Sequence, residues 1–340
     1  MLTEWQTFLL TQGARIVDGS VLDFGATDLE AATALSGNII TDLSYLGVIT
    51  ISGEDAADFL NGQLTTDISQ LANGSVQPSA WCNPKGQVIT NFFIARLNEC
   101  FYILLPRELQ ESILKRLQKF ILRAAVAILG DKGTRQCMGV KSIGDTGLLQ
   151  FDKQRAASED SLISIPIPGS NGRWIIIGTA PALRNKWLKL AQQSTAIGSH
   201  YWQLFDILNG LPWITVATTE TCLPQSLNLD QLQGLSYQKG CYPGQEVIAR
   251  LHYRGKYSQR LFIAKLDTVH GVAPGAKIYT GNKPHSIGTI INTAWHPKQG
   301  CYALTILEVD YVNPELLCLE NSSARFLQIS TPHYLTLNQE

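Results

Sequence analysis

One cysteine, Cys241, stands in a local pattern that is suited to thiol chemistry. Glycines flank it at Gly240 and Gly244, and Lys239 lies two residues before it. Glycine allows positive φ angles and lets a ligand approach the backbone without meeting a Cβ atom. A helix that begins near Gln245 would direct its positive end toward the sulfur, and with the lysine ammonium it would favour the thiolate. The spacing predicts a reactive thiol where a loop meets a helix.

Polar residues follow the cysteine on the predicted helix. Gln245 and Glu246 are expected to position the loop, and the i,i+4 spacing of Glu246 and Arg250 allows an ion pair between them. The alternative is a tight structural turn around an ordinary buried cysteine, which is how free cysteines usually pack. The run of glycine, lysine and polar residues on both sides of Cys241 is longer than a simple structural turn needs, and this argues against the alternative.

The chain of 340 residues is too long for one ordinary hydrophobic core, so we expect roughly two or three domains. Its 27 basic and 28 acidic residues nearly balance, which excludes a polyanion-binding field over the whole protein. The N-terminal residues include Glu4, lack a basic segment and carry too short an apolar run for a signal peptide or a membrane span. We therefore predict a cytoplasmic protein with no membrane partner.

Cysteines and histidines are scattered along the chain. The seven cysteines include no C-x-x-C pair, and the six histidines include no H-E-x-x-H motif. This distribution predicts free thiols in a reducing compartment and no metal or iron–sulfur cluster bound by the protein itself.

Hydrophobic periodicity and turn residues predict an α+β chain. A tight turn is expected at residues 83–86 (sequence NPKG), where proline presets the second position. A helix is expected after Pro106, with an apolar stripe that reaches Phe120 and Ile121. Short strands with turn signals after Gln259 suggest a small, separate β-barrel. Its expected strands are Leu261–Lys265, Lys277–Tyr279, Ser286–Thr293, Cys301–Leu307 and Arg325–Ile329.

The octapeptide KGCYPGQE at residues 239–246 resembles the signature of the YgfZ family, folate-binding and tRNA-modification-associated relatives of the glycine-cleavage T-protein (aminomethyltransferase). The R…RG…R tail of that signature is matched at Arg250, Arg254-Gly255 and Arg260. Four other stretches resemble the same superfamily in the same order. They are ISGEDAADFLNGQLTTDI (residues 51–68), NPKGQV (83–88), FILRAAVAI (120–128) and PQSLNLD (224–230).

This resemblance implies a T-protein-like architecture over nearly the whole chain. Residues 1–250 would form two interleaved α+β lobes, approximately 1–140 and 141–250 with exchanged segments, around a central channel. Residues 251–340 would form the C-terminal β-barrel domain. The resemblance also implies that tetrahydrofolate binds in the channel as a ligand.

Trp202 stands where YgfZ proteins place a folate-contacting tryptophan, and a flat indole suits stacking on a pterin or aminobenzoyl ring. The alternative is an ordinary core tryptophan. Leu46 replaces a second tryptophan of the resembling proteins, so Tyr45 beside it could supply the other aromatic ring.

Leu208 replaces a T-protein glutamate, and Asp206 or Asn228 could substitute for that carboxylate. The other residues predicted to contact folate are Tyr242, Gln245, Glu246, Arg250 and Arg254.

The resemblance fails at the acidic pair that true aminomethyltransferases carry after the turn glycine. Thr90 and Asn91 stand there, and an amide cannot accept and hold a proton as a carboxylate does. We therefore expect no aminomethyltransferase activity.

Three functions remain to be compared. The first is a folate-dependent accessory protein for iron–sulfur client enzymes, including the radical enzymes that methylthiolate tRNA. In it Cys241 is the working thiol, Lys239 lowers its pKa, and the tail Arg250, Arg254, Lys256 and Arg260 receives the folate carboxylates. The second is a tetrahydrofolate-dependent aminomethyltransferase. The third is a tRNA-binding module that uses Tyr253 and Tyr257 among the same cations.

Overall fold

A computed structural model of the chain describes residues 2–131, 133–143, 156–159, 162–170, 172–268, 272–281, 283–296, 299–320 and 322–335. The chain divides into two compact units, and each unit is built from three separated segments. Unit 1 consists of Met1–Ala56, Gln70–Gln77 and Phe93–Trp202. Unit 2 consists of Ala57–Ser69, Pro78–Phe92 and Gln203–Glu340. The predicted boundary between residues 250 and 251 stays a prediction.

The chain contains both helices and runs of consecutive, mostly antiparallel strands, as is typical of an α+β fold. The α-helices are α1 (Glu4–Thr11), α2 (Thr27–Ser36), α3 (Ala56–Asn61), α4 (Arg107–Gln118), α5 (Ala180–Leu190), α6 (Ser199–Leu208) and α7 (Gln245–Arg254). The strands that precede α6 are β1 (Arg15–Val17), β2 (Ser20–Asp23), β3 (Ile39–Asp42), β4 (Leu46–Ser52), β5 (Val76–Cys82), β6 (Val88–Leu97), β7 (Cys100–Pro106), β8 (Ala127–Gly130), β9 (Arg135–Lys141), β10 (Ala157–Glu159), β11 (Leu162–Pro166), β12 (Arg173–Thr179) and β13 (Thr195–Ile197). The later strands are β14 (Gln259–Asp267), β15 (Lys277–Thr280), β16 (Gly288–His296), β17 (Gly300–Glu308), β18 (Leu317–Leu319) and β19 (Arg325–Ser330).

Unit 1 contains a six-stranded sheet in the order β10-β11-β12-β9-β3-β13. Its strands are antiparallel except that β13 runs parallel to β3. Helices α1 and α5 cover this sheet, because Trp5 and Leu9 of α1 pack with Leu183 and Trp187 of α5 in one buried cluster. A two-stranded ribbon, β1–β2, lies at the N-terminal end of the unit.

A five-stranded sheet has the order β5-β6-β7-β4-β8. Helix α4 begins directly after Pro106 and buries Leu109, Ile113 and Leu117, which confirms the predicted helix. The predicted stripe was wrong at its far end. The helix ends at Gln118, so Phe120 is displaced from the buried face and is 49% exposed.

The C-terminal part of unit 2 is a nearly closed, barrel-like antiparallel sheet in the order β18-β15-β16-β17-β14-β19. Each of the five predicted strands is present, and the sequence pattern missed only the three-residue strand β18. The interior of this sheet holds buried side chains that include Phe262, Leu266, Ile278, Ile290 and Leu307. Among the described residues, every helix is too short or too polar to cross a membrane.

Candidate functional site

Cys241 lies at the surface, in the loop that precedes α7. We call residues 239–244 the thiol loop; the loop and the partners described for it below all belong to unit 2. Burial raises the pKa of the Cys137 and Cys222 thiols to about 12, and it also raises the pKa values of Cys82 and Cys301. Exposure therefore separates Cys241 from most of the other cysteines. The remaining thiols that are not buried are those of Cys100, which is half-buried, and Cys318, which is exposed.

The Lys239 ammonium is buried beneath the thiol loop and is bonded to backbone oxygens. It donates hydrogen bonds to the carbonyls of Asn61, Leu64 (2.7 Å) and Thr66 (3.1 Å). An ammonium has three N–H donors, so these carbonyls use all of them. Burial lowers the pKa of Lys239 to about 8. Lysine at this position therefore fixes the thiol loop to the segment that follows α3.

No hydrogen bond joins Lys239 to Cys241 within the described part of the chain. Instead the ammonium nitrogen lies 5.0 Å from the ring centroid of Tyr242, which is buried. Burial also raises the pKa of the Tyr242 hydroxyl. That hydroxyl has no hydrogen-bond partner among the residues that the structure describes. The predicted effect of Lys239 on the thiol pKa stays a prediction.

Gly244 fixes the other end of the thiol loop. It has φ +81° and is the N-cap of α7, which begins at Gln245 as predicted. A Cβ atom on Gly244 would lie 2.5 Å from the Cα of Gly86 and 2.6 Å from the carbonyl oxygen of Asn83. The thiol loop therefore packs backbone to backbone against the turn at residues 83–86. A Cβ atom on Gly240 would meet nothing within 4 Å, so this glycine leaves open space beside the sulfur.

The turn at residues 83–86, the NPKG turn, is held by the side chain of its first residue. Asn83 Oδ1 accepts hydrogen bonds from the backbone N–H groups of Lys85 and Gln87, each at 3.0 Å. Asn83 Nδ2 donates to Gln87 Oε1 at 3.0 Å and to a Glu220 carboxylate oxygen at 3.1 Å. These contacts confirm the predicted turn and add an asparagine-centred network that the sequence pattern did not indicate.

The polar residues of α7 have separate roles. Gln245 Nε2 donates to the backbone carbonyl of Lys239 at 3.3 Å, so its amide helps to close the thiol loop. Glu246 and Arg250 are both exposed. Among the described residues no ion pair joins these two side chains, so the spacing that allows a pair does not produce one.

The basic tail differs from its expected form at one residue. Arg254 and Lys256 are exposed, as is Arg250. Arg260 is buried, forms an ion pair with Asp230 at 2.7 Å and lies over the Tyr257 ring at 4.0 Å. Because its guanidinium is already paired inside unit 2, the exposed cationic tail consists of the other three residues.

Asn91, at the position of the missing acidic pair, is buried and bonded to backbone on both sides. Its Nδ2 donates to the Pro212 carbonyl at 2.7 Å, and its Oδ1 accepts from the Ile214 N–H at 2.7 Å. An amide can donate and accept in this way, whereas a carboxylate has no N–H and can only accept. The side chain therefore holds the segment after α6 and is not free for proton transfer.

The two residues considered as substitutes for the T-protein glutamate also have partners within unit 2. Asp206 accepts a hydrogen bond from the Trp213 indole N–H at 2.9 Å. Asn228 has φ +57° and exchanges two hydrogen bonds with the backbone of Leu261. Leu208 is 38% exposed.

Trp202, Tyr45 and Leu46 belong to unit 1. The Trp202 indole is fully buried, packs against the Cα of Gly139 and has the Arg173 guanidinium 5.0 Å from its ring centroid. Its N–H has no hydrogen-bond partner among the described residues. Tyr45 is half-buried, and Leu46 is buried at the start of β4. Their predicted contacts with folate stay predictions.

Sequence reasoning missed the carbonyls that hold Lys239. Their only signal was the end of a helix at Asn61-Gly62, where unpaired carbonyls attract a cation. In the part of the chain that the structure describes, no group of three or more His, Cys, Asp or Glu side chains could hold a metal ion.

The free energy of unfolding of the Lys239→Met variant should depend less on pH than that of the parent protein. A lysine pKa of about 8 in the folded protein, against 10.5 when unfolded, means that the unfolded chain holds a proton between these values that the folded chain has released. The free energy of unfolding of the parent protein should therefore rise with pH in this window, by about 1 kcal/mol per pH unit relative to the variant. Urea unfolding from pH 7.5 to 10 measures this difference. Parallel curves would contradict it, and Lys256→Met, at an exposed lysine, is the control.

The Asn91→Asp variant should be less stable by about 1–3 kcal/mol at neutral pH, because the Pro212 carbonyl loses its donor and faces a carboxylate oxygen. Chemical unfolding measures the difference. Asn313→Asp is the matched control, since the exposed Asn313 side chain accepts a hydrogen bond from Glu315 N–H, which aspartate can also do. Equal stability of the two variants would show that the amide is not needed as a donor.

A comparison with solved structures relates the whole chain to one known fold. The glycine cleavage system aminomethyltransferase T from Bartonella henselae superposes with a TM-score of 0.80 at 15% sequence identity. The match covers 97% of this chain and 96% of that protein. At this identity the likeness establishes the fold alone, and it confirms the predicted T-protein-like α+β class.

Sequence comparisons identify the family. Residues 22–138 match the GCVT N-terminal domain. The tRNA-modifying protein YgfZ of Colwellia psychrerythraea is 31% identical over 247 residues, which cover 69% of this chain and 74% of the relative. The tRNA-modifying protein YgfZ of Sodalis glossinidius is 26% identical over 308 residues, 87% of this chain and 92% of the relative. With this sequence identity, the shared fold and the thiol loop at the KGCYPGQE signature, the chain belongs to the YgfZ family.

Proposed function

We propose that this protein is a folate-binding accessory protein of tRNA modification, which supports iron–sulfur enzymes such as those that methylthiolate tRNA. Cys241 is its functional thiol. The names of the relatives from Colwellia and Sodalis support the link to tRNA modification. The link to iron–sulfur clients rests on the resemblance of residues 239–246 to the family signature. The tRNA is served indirectly, through these client enzymes.

The observation that carries the proposal is an exposed sulfur on a loop that is fixed at both ends. A thiol that accepts or relays a group must be reached by its partner, and Cys241 is exposed. Lys239 holds the loop on one side and Gly244 on the other. The open space at Gly240 leaves room for a client to approach the backbone beside the sulfur.

The residues of the chain fit folate in part. The buried Trp202 indole N–H, unpartnered among the described residues, could donate to a folate acceptor, and Tyr45 adds an aromatic ring in the same unit. The exposed guanidinium groups of Arg250 and Arg254 suit carboxylates. Asp206 and Asn228 are already bonded within the protein. Bound tetrahydrofolate would supply a carrier of one-carbon units.

The contacts of Asn91 count against the aminomethyltransferase alternative. General acid–base catalysis needs a group that can take up a proton near the reacting atoms. The amide at this position is bonded to Pro212 and Ile214 and does not titrate.

The Cys241→Ser variant should fail to support tRNA methylthiolation, because a hydroxyl is not a comparable nucleophile at neutral pH. The measurement is the fraction of methylthiolated tRNA in a bacterial strain that lacks its YgfZ protein and carries a plasmid copy of this chain. The variant should fall to the level of the empty plasmid. Cys318→Ser, at the other exposed cysteine, should retain the activity of the parent. Full activity of Cys241→Ser would remove the thiol from the function.

The Trp202→Phe variant should bind tetrahydrofolate about tenfold more weakly than the parent protein, because the ring is kept and the indole N–H donor is lost. Isothermal titration calorimetry measures the affinity. Trp295→Phe, at a 40% exposed tryptophan of β16, is the control and should bind as the parent does. Absence of binding to the parent would contradict the folate proposal, whereas an equal loss in both variants would contradict only the role of Trp202.

A further inference from the structure

A surface cleft of about 320 Å³ lies in unit 2 beside the NPKG turn. Lys85 and Gln87 form one wall, and Leu251 of α7 and Tyr257 form another part. Ser226, in the short 3-10 helix Pro224–Leu227, also lines it. None of the residues that line the cleft is an aspartate or glutamate, so its only formal charge is that of Lys85.

Ser226 supplies a hydroxyl to this cleft. The residue as a whole is only 7% exposed, and its hydroxyl has no hydrogen-bond partner among the described residues, although it is not one of their buried polar atoms. A hydroxyl that is accessible in a cleft and has no partner in the described chain is available to donate to a ligand.

The orientation of Gln87 follows from the asparagine network of the NPKG turn. Asn83 Oδ1 accepts two backbone N–H groups, so its Nδ2 must be the donor. This Nδ2 donates to Gln87 Oε1 at 3.0 Å, which leaves Gln87 Nε2 as the group with free N–H donors. An amide held in this way is a donor of fixed direction at the wall of the cleft.

Two acidic side chains near the cleft have partners within the chain. The Glu220 carboxylate accepts a hydrogen bond from the neutral Asn83 amide, and Asp230 forms an ion pair with Arg260. Lys85 is exposed, and no ion pair involves it among the described residues. The lining of the cleft therefore offers one cation and at least two neutral donors, and it contains no carboxylate.

We propose that this cleft is a binding site for the phosphate monoester of a small molecule. Lysine binds phosphate oxygens as a point charge, and hydroxyl and amide N–H groups can donate to the remaining phosphate oxygens. The volume lies at the small end of ligand pockets, which suits a ligand of about the size of a nucleoside monophosphate. The inference is independent of folate and of the thiol.

Adenosine monophosphate is a suitable probe, with adenosine and succinate as comparison ligands, in titration calorimetry on the full chain. The parent protein should bind the monophosphate at least about tenfold more tightly than either comparison ligand. Lys85→Met and Ser226→Ala should each weaken this binding, the first by about tenfold and the second by about threefold. Lys256→Met is the matched control, since this lysine is exposed but does not line the cleft. Thermal unfolding checks that each variant is folded.

Three results would overturn the proposal. Absence of monophosphate binding to the parent protein at millimolar concentration would overturn it. Equal binding of adenosine and the monophosphate would show that phosphate is not recognised. Equal losses from Lys85→Met and Lys256→Met would show attraction to surface charge in general. Loss confined to the two lining variants would support a site at the cleft.

Discussion

The bonds from the Lys239 ammonium to three carbonyls are the constraint on which the thiol loop depends. Asn61 ends α3, and the carbonyls at a helix end have no partner within the helix. A buried ammonium satisfies such groups, and they compensate in turn for its lost hydration. The Lys239 backbone carbonyl accepts from Gln245, and the Tyr242 ring lies beside the ammonium. Lys239 thus connects the thiol loop to the end of α3 through its side chain and to α7 through its backbone carbonyl.

Three asparagine side chains in unit 2 form hydrogen bonds of the kind that backbone groups usually form with each other. Asn83 holds the NPKG turn, Asn91 bonds to residues on both sides of Trp213, and Asn228 pairs with the strand residue Leu261. Each side chain both donates and accepts, which a carboxylate at the same place could not do. Asparagine at these positions therefore stabilises the loops, and because its amide does not titrate, it supplies no acid–base group there.

Local signals in the sequence were enough to predict the elements next to the thiol. The start of α7 at Gln245 and the NPKG turn follow from glycine, proline and polar residues close together in the chain. The partners of Lys239 could not be predicted, because they are backbone carbonyls more than 170 residues away and carry no side-chain signature. Arg260 resembles an exposed tail cation in sequence, and only the fold brings Asp230 to it.

The close approach of Gly244 and Gly86 affects the entropy cost of binding a partner next to the sulfur. Because both ends of the thiol loop are fixed in the free protein, little backbone freedom remains to be lost when another molecule docks there. When a partner binds a segment that must first become ordered, the ordering cost offsets part of the favourable contact free energy. A preorganised segment has a smaller ordering cost, so more of the contact free energy appears as affinity. A small contact area around Cys241 would therefore be sufficient for a short-lived complex with such a partner.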